Sequence, residues 1–154
     1  HGGQEMKVLI PLFKGAMDSW KRYARQLLAL KNPYTGLTWG EDPALFSLNL
    51  INEASLPAQY TRYPHLLKIV RNAWAEDLKS HGMEVPADRG EAQKSLMDYL
   101  LRKEAEALDE MIRFVREELR YKGLITNYNY DAWYYQAPLR EKLDFVDSHK
   151  YSLV

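Results

Sequence analysis

The sequence predicts an α/β chain built on a parallel sheet, and three observations support that class. Strand-like runs at 45–52, 124–127 and 143–151 are interleaved with helical patterns, the alternation of a parallel sheet. Within the first run Phe46, Leu48 and Leu50 share one apolar face, while Ser47, Asn49, Ile51 and Glu53 share the other. A half-exposed sheet gives that parity, and so does a barrel strand whose inner face turns polar toward the mouth. The chain has 154 residues, 46% of them hydrophobic, enough for one ordinary core or for part of a larger one.

Each element follows from local chemistry. Residues 1–7 carry no periodic signal, and Val8-Leu9-Ile10, closed by Pro11, reads as a brief extended segment. Met17, Trp20, Ala24, Leu27 and Leu28 recur at helical spacing, which predicts an amphipathic helix over about 16–30. Asn32-Pro33-Tyr34-Thr35-Gly36 ends it with turn chemistry. A second helix is expected over 64–80, burying Leu66, Leu67, Val70, Ala73, Trp74 and Leu78. The longest signal lies at 92–122, where Met97, Leu101, Ala105, Leu108, Ile112, Val115 and Leu119 make a near-heptad stripe before Gly123. That stripe suits a solvated helix over a core, or a coiled-coil partner. A polar-aromatic loop at 128–135 and a short helical piece at 137–142 precede the last strand-like run.

Composition narrows the function. Twenty-one Lys and Arg balance 21 Asp and Glu, which removes the electrostatic footprint of a nucleic-acid binder. No apolar run approaches the roughly 20 residues that span a bilayer. The absence of Cys excludes disulfides and thiolate metal sites and leaves the compartment, secreted or cytoplasmic, open. The four His are scattered, and no HExxH, EF-hand, GxGxxG, Walker or GxSxG pattern occurs, so neither a metal nor another cofactor is expected.

Carboxylate and aromatic chemistry remains. Asn52-Glu53 closes the first apolar strand, where desolvation raises a carboxyl group toward a general-acid value. The alternative is a Glu that caps the next segment or pairs with a cation. The Asn, Tyr and Trp side chains of 127–135 suit sugar faces and hydroxyls, and equally suit cores and interfaces. Phe145, Asp147, His149 and Tyr151 share one parity on the last strand.

Three segments, Leu28-Ala29-Leu30-Lys31-Asn32-Pro33-Tyr34-Thr35-Gly36-Leu37, Glu41-Asp42-Pro43-Ala44-Leu45 and Leu50-Ile51-Asn52-Glu53-Ala54-Ser55-Leu56, follow one another in a specific order. With Asp144-Phe145-Val146-Asp147-Ser148-His149-Lys150-Tyr151, they resemble the bacterial cellulase-like glycoside hydrolases of the retaining (β/α)8 clan. The likeness covers about 7–56 and 115–152. It implies a partial TIM barrel, about strands three to six, with 57–95 a helical insertion between strand four and its helix. It also implies an oligo- or polysaccharide substrate with β-glycosidic bonds.

By the same resemblance Glu53 matches the acid/base, and Asn52 the residue that bonds the sugar 2-hydroxyl. His149 and Tyr151 match positions lining the sugar subsite, while Asn127, Tyr128 and Asn129 match substrate contacts more loosely. Alternation would aim Asn52 and Glu53 at opposite faces, so the strand end has to twist or bulge. Ala54 stands where the family commonly has Asn. The clan's nucleophile comes from a seventh strand, which implies that these residues are the central segment of a hydrolase. As a fragment the chain is expected to be inactive alone and to self-associate through open strand edges. Asp131 and Asp147 are the nearest spare carboxylates. The rival reading is a non-catalytic helical scaffold or interaction module centred on 57–122.

Overall fold

Helices form wherever the apolar spacing calls for them, and they take up 56% of the described residues. The computed structural model describes residues 2–129 and 134–149. In chain order come α1 (Gly2–Leu9), α2 (Lys14–Leu28), β1 (Ser47–Asn49), α3 (Leu56–Gln59), α4 (Pro64–Ser80), α5 (Arg89–Arg113), β2 (Leu124–Thr126) and α6 (Ala137–Arg140). A π-helical turn, Phe114–Glu118, continues α5, and a 3₁₀ turn, Tyr134–Gln136, leads into α6.

Caps and prolines set the boundaries. Ser55 Oγ accepts from Ala58 N–H and starts α3, with Pro57 in its first turn. Pro64 opens α4, where its missing N–H has no intrahelical partner to lose. The Asp88 carboxylate accepts from Glu91 N–H at 2.9 Å and starts α5. The extended segment expected at 8–10 is instead the end of α1: Ile10 N–H bonds Met6 C=O before Pro11 closes the helix.

Two apolar clusters lie along α5, which at about 1.5 Å per residue is long enough to serve both. Val8, Leu56, Tyr60, Leu66, Val70, Trp74, Leu78, Leu96, Tyr99 and Leu100 join α1, α3 and α4 to its N-terminal half. Trp20, Leu28, Leu50, Leu108, Met111, Phe114, Ile125 and Tyr128 are among those joining α2 and the strands to its C-terminal half. Residues 57–95 contribute Tyr60, Leu66, Val70, Trp74 and Leu78 to the cluster at the N-terminal half of α5.

The two strands are parallel, with Ser47 opposite Leu124, Leu48 opposite Ile125 and Asn49 opposite Thr126. Leu124 N–H bonds Phe46 C=O at 2.7 Å, and Leu50 N–H bonds Thr126 C=O at 3.1 Å. Trp20 Nε1–H reaches Leu50 C=O and Tyr121 Oη–H reaches Leu45 C=O, pinning β1 at both ends.

This architecture corrects the predicted partial (β/α)8 barrel. Among the described residues the sheet has two three-residue strands, far from the eight tilted strands of a closed barrel. The 143–149 segment runs beside β2 without a ladder, and the reason is local. Ile125 C=O accepts from Asp144 N–H, but Ile125 N–H is taken by the Asp144 carboxylate, which occupies the place of a strand carbonyl. Arg116 clasps the same carboxylate and also donates to the carbonyls of Tyr121 and Gly123. The predicted alternation is thus reduced to one parallel crossover, and helices dominate the packing. Among the described residues no helix is long and apolar enough to cross a membrane.

Gly123 is required by close approach and not by helix termination, since the left-handed residue after the π turn is Arg120, at φ 55°. A Cβ on Gly123 would fall 2.8 Å from the Phe46 carbonyl oxygen and within 2.5 Å of Tyr121 Oη and Cζ. Gly123→Ala should therefore destabilise the chain by about 1–3 kcal/mol. Urea denaturation measures this, and an unchanged midpoint would contradict the packing at the start of β2.

Candidate active site

The parallel pairing aligns the C-terminal ends of β1 and β2, and the chain turns sharply just beyond each. Residues 52–53 form a turn in which Glu53 adopts φ 54°, and Tyr128 adopts φ 63° beyond β2. Left-handed backbone is costly for a side chain of either kind, so the surrounding bonds must hold it. At Glu53 they are explicit. Its N–H donates to Asn129 Oδ1 at 2.7 Å, and its C=O accepts from Gln59 Nε2 at 2.7 Å. The turn breaks strand alternation and lets consecutive side chains, Asn52 and Glu53, face the same neighbours.

Those neighbours form one hydrogen-bonded cluster. Glu53 Oε1 lies 2.8 Å from His149 Nδ1. His149 Nε2 lies 3.0 Å from Asn129 Nδ2, which is also 3.2 Å from Asp147 Oδ2 and 3.5 Å from Asn52 Oδ1. Asp147 Oδ1 in turn accepts from Thr126 Oγ1–H at 2.6 Å. The backbone repeats the connection, because His149 N–H bonds Asn129 C=O at 2.7 Å. Side-chain exposure is 19% for Glu53 and 35% for His149, so the pair is recessed yet reachable from solvent.

Lys7 of α1 stands near this carboxylate. Burial holds its ammonium below the usual lysine range, an effect that the Glu53 charge opposes and the Arg62 charge reinforces. Arg62 also reaches Gln4, one turn before Lys7 on α1.

Of the residues singled out from sequence, Asn52, Glu53 and His149 come together. Asn127 and Tyr128 do not face this cluster. Asn127 is buried, and its Oδ1 accepts from Ile51 N–H at 3.1 Å, fixing the backbone that leads into the 52–53 turn. Tyr128 is buried in the cluster that joins α2 and the strands to α5, where its hydroxyl donates to Glu104 C=O. Tyr151 and Asp131 lie outside the described residues. Asp147, read from sequence as a spare carboxylate, is bound on both oxygens. Among the described residues no group of three or more His, Asp or Glu could hold a metal ion.

The sequence reading named Asn129 only loosely and missed Glu104. The carboxyl group of Glu104 is fully enclosed beneath the site, accepting from Leu56 N–H at 2.8 Å and Gln136 Nε2 at 3.1 Å. Gln136 also donates to Ser55 Oγ, so this buried group ties the start of α3 to the segment before α6. Burial pushes it up to about 7, only partly opposed by those two donors. Its signal in sequence was a carboxylate at four-residue spacing between Leu100 and Leu108.

A groove of about 760 Å³ lies at the other ends of the strands, lined by residues 40–43, 45–46 and 119–124. Its carboxylates are engaged in turns: Glu41 accepts from Thr38, and Asp42 from Ala44 N–H. The recessed carboxylate–imidazole pair is at the Glu53 end instead.

Glu104 links stability to pH. Because its folded value of about 7 exceeds the ordinary 4.5, the folded state holds the proton more tightly. Its contribution is complete below about pH 4.5 and is lost as pH rises through 7, a change on the order of 3 kcal/mol. Glu104→Gln should flatten that dependence and leave the variant the more stable form above pH 7. Denaturation midpoints between pH 4.5 and 8 test this, and parallel pH profiles for the two proteins would refute it.

No protein-family model, curated protein or solved structure matches this chain.

Proposed function

We propose that this chain carries the acid/base half of a retaining glycoside hydrolase site acting on β-linked oligo- or polysaccharides. The observation that supports the reading is the recessed Glu53 carboxylate, bonded to His149 Nδ1 at 2.8 Å within a cluster that also contains Asn52. These are three of the residues on which the motif resemblance depends, and they converge although the surrounding fold is not a barrel. In the proposed reaction the Glu53 carboxyl protonates the glycosidic oxygen as the bond to the anomeric carbon breaks. The resulting carboxylate then takes a proton from the water that releases the sugar. Asn52 is exposed beside Glu53, where its amide can bond the 2-hydroxyl next to the reacting carbon.

Retention also needs a carboxylate nucleophile about 5–5.5 Å from the acid/base. Asp147 is not proposed for it, because Thr126 and Asn129 hold both its oxygens. That role falls to a carboxylate outside the described residues.

A non-catalytic helical module is the second reading. It is favoured by the helical majority and by exposed Phe46 and Leu124, which line the groove at the far strand ends.

Glu53→Gln separates the two in the protein that contains this chain. Turnover of β-glycosides with poor leaving groups should fall by about 10²–10⁴-fold. Substrates whose leaving group needs no protonation should lose much less in the glycosylation step. Near-normal turnover of unactivated glycosides by the variant would end the hydrolase assignment.

A further inference from the structure

We infer that Asn129 is a positioning residue that holds His149 as the neutral Nδ1–H tautomer, with the ring proton directed at Glu53 Oε1. The argument begins with the orientation of the Asn129 amide. Its oxygen must face Glu53, because what lies 2.7 Å away there is a backbone N–H, which can only donate. Turning the amide over would set its NH₂ against that donor. It would also set its oxygen against Asp147 Oδ2 and Asn52 Oδ1, which accept. The NH₂ group therefore points toward Asp147 and His149, and its two hydrogens serve the two shorter contacts, 3.2 and 3.0 Å.

The imidazole follows from that. A nitrogen receiving a hydrogen bond from Asn129 Nδ2–H cannot bear a proton, so His149 Nε2 is the lone-pair nitrogen. The ring proton is then on Nδ1, aimed at Glu53 Oε1 at 2.8 Å. The alternative, a protonated Glu53 Oε1 donating to Nδ1, leaves neutral His149 with Nε2–H opposing Asn129 Nδ2–H. Imidazolium fails for the same reason. The bonds therefore form a closed relay. Glu53 N–H donates to Asn129, Asn129 to His149, and His149 back to the carboxylate of Glu53. Asp147, held by Thr126, keeps the second amide hydrogen engaged.

The tautomer rests on the geometry alone, whereas its consequence for proton transfer rests on the hydrolase reading above. With Oε1 accepting from His149 Nδ1–H, the Glu53 carboxyl group is held in one orientation while it gives up and regains its proton. His149 neither gains nor loses a proton in either step.

The test uses ¹⁵N-labelled chain and needs no substrate. At neutral pH the His149 ring should show a protonated, pyrrole-like Nδ1 and an unprotonated, pyridine-like Nε2 in long-range ¹H–¹⁵N spectra. Asn129→Asp is nearly isosteric and keeps an acceptor for Glu53 N–H, but it presents an oxygen to Nε2. Among the described residues the charges near the ring remain, with Glu53 at Nδ1, Asp147 behind residue 129 and Lys7 beside Glu53. In that variant Nε2 should become protonated and lose its pyridine-like signal. A wild-type Nε2 that already bears the proton overturns the inference, and so does a pyridine-like Nε2 in folded Asn129→Asp. A confirmed tautomer together with full activity of Glu53→Gln would leave this inference standing and remove the hydrolase reading instead.

Discussion

The site depends on one pairing, the parallel contact of Ser47–Asn49 with Leu124–Thr126. It closes a crossover that contains α3, α4, α5 and the π turn, so the helical packing determines whether the strands meet. Three residue pairs of ladder are a weak bond by themselves, and isolated two-stranded pairings are marginal in water. What holds them is lateral. Trp20 donates to Leu50 C=O and Tyr121 to Leu45 C=O, while Leu50 and Ile125 are buried against α2 and α5. Because parallel strands end side by side, the turns beyond them necessarily face each other. The Asn127 bond to Ile51 N–H and the Asn129 bond to Glu53 N–H extend the pairing by side chain after the backbone ladder has stopped.

That substitution of side chain for ladder explains the two left-handed residues. Between Asn127 and Asn129 the chain must direct two amides toward the 51–53 backbone while placing the intervening Tyr128 ring in the core. An extended strand does separate odd from even residues, but it would continue straight on beside residues 50–52. At φ 63° Tyr128 bends the chain instead, and at φ 54° Glu53 bends its counterpart. Backbone strain of this kind commonly accompanies functional geometry, because only an over-determined set of partners can sustain it. Here the partners are a buried tyrosine, two asparagine amides and Gln59.

Much of the helical architecture was legible because it depends on period. The spacing of Leu66, Val70, Trp74 and Leu78 marked α4 at its actual boundaries, and Met17, Trp20 and Ala24 marked α2 to within two residues. The long helix was found but its buried face was misread. Leu101, Ala105 and Ile112 are only partly buried, while Leu100, Glu104, Ala107 and Met111 face inward, so a carboxylate lay within the true stripe and disguised it. The barrel expectation failed for a different reason. Apolar runs at 45–52 and 143–149 have strand-like parity, but parity does not reveal that an aspartate side chain takes the ladder position beside Ile125. Of the site, Glu53, Asn52 and His149 were legible through motif order. The role of Asn129 was not, because it depends on four partners brought together by the tertiary fold.

Glu104 shows how the site is supported from beneath. Its oxygens accept from Leu56 N–H, just after the Glu53 turn, and from Gln136, which also reaches Ser55. A cation in that position would neutralise the charge, but among the described residues none lies within ion-pair distance. Two neutral donors offset only part of the desolvation, which is why its proton affinity rises. Such a group is a poor contributor to stability at neutral pH. It nevertheless constrains position, because an enclosed carboxyl group that loses a donor has no water to replace it. The turn bearing Glu53 is therefore held from two sides: Asn129 fixes its N–H from the strand end, and Glu104 fixes the start of α3 three residues later. A carboxylate held at both flanks can keep one orientation toward His149 in spite of its left-handed backbone.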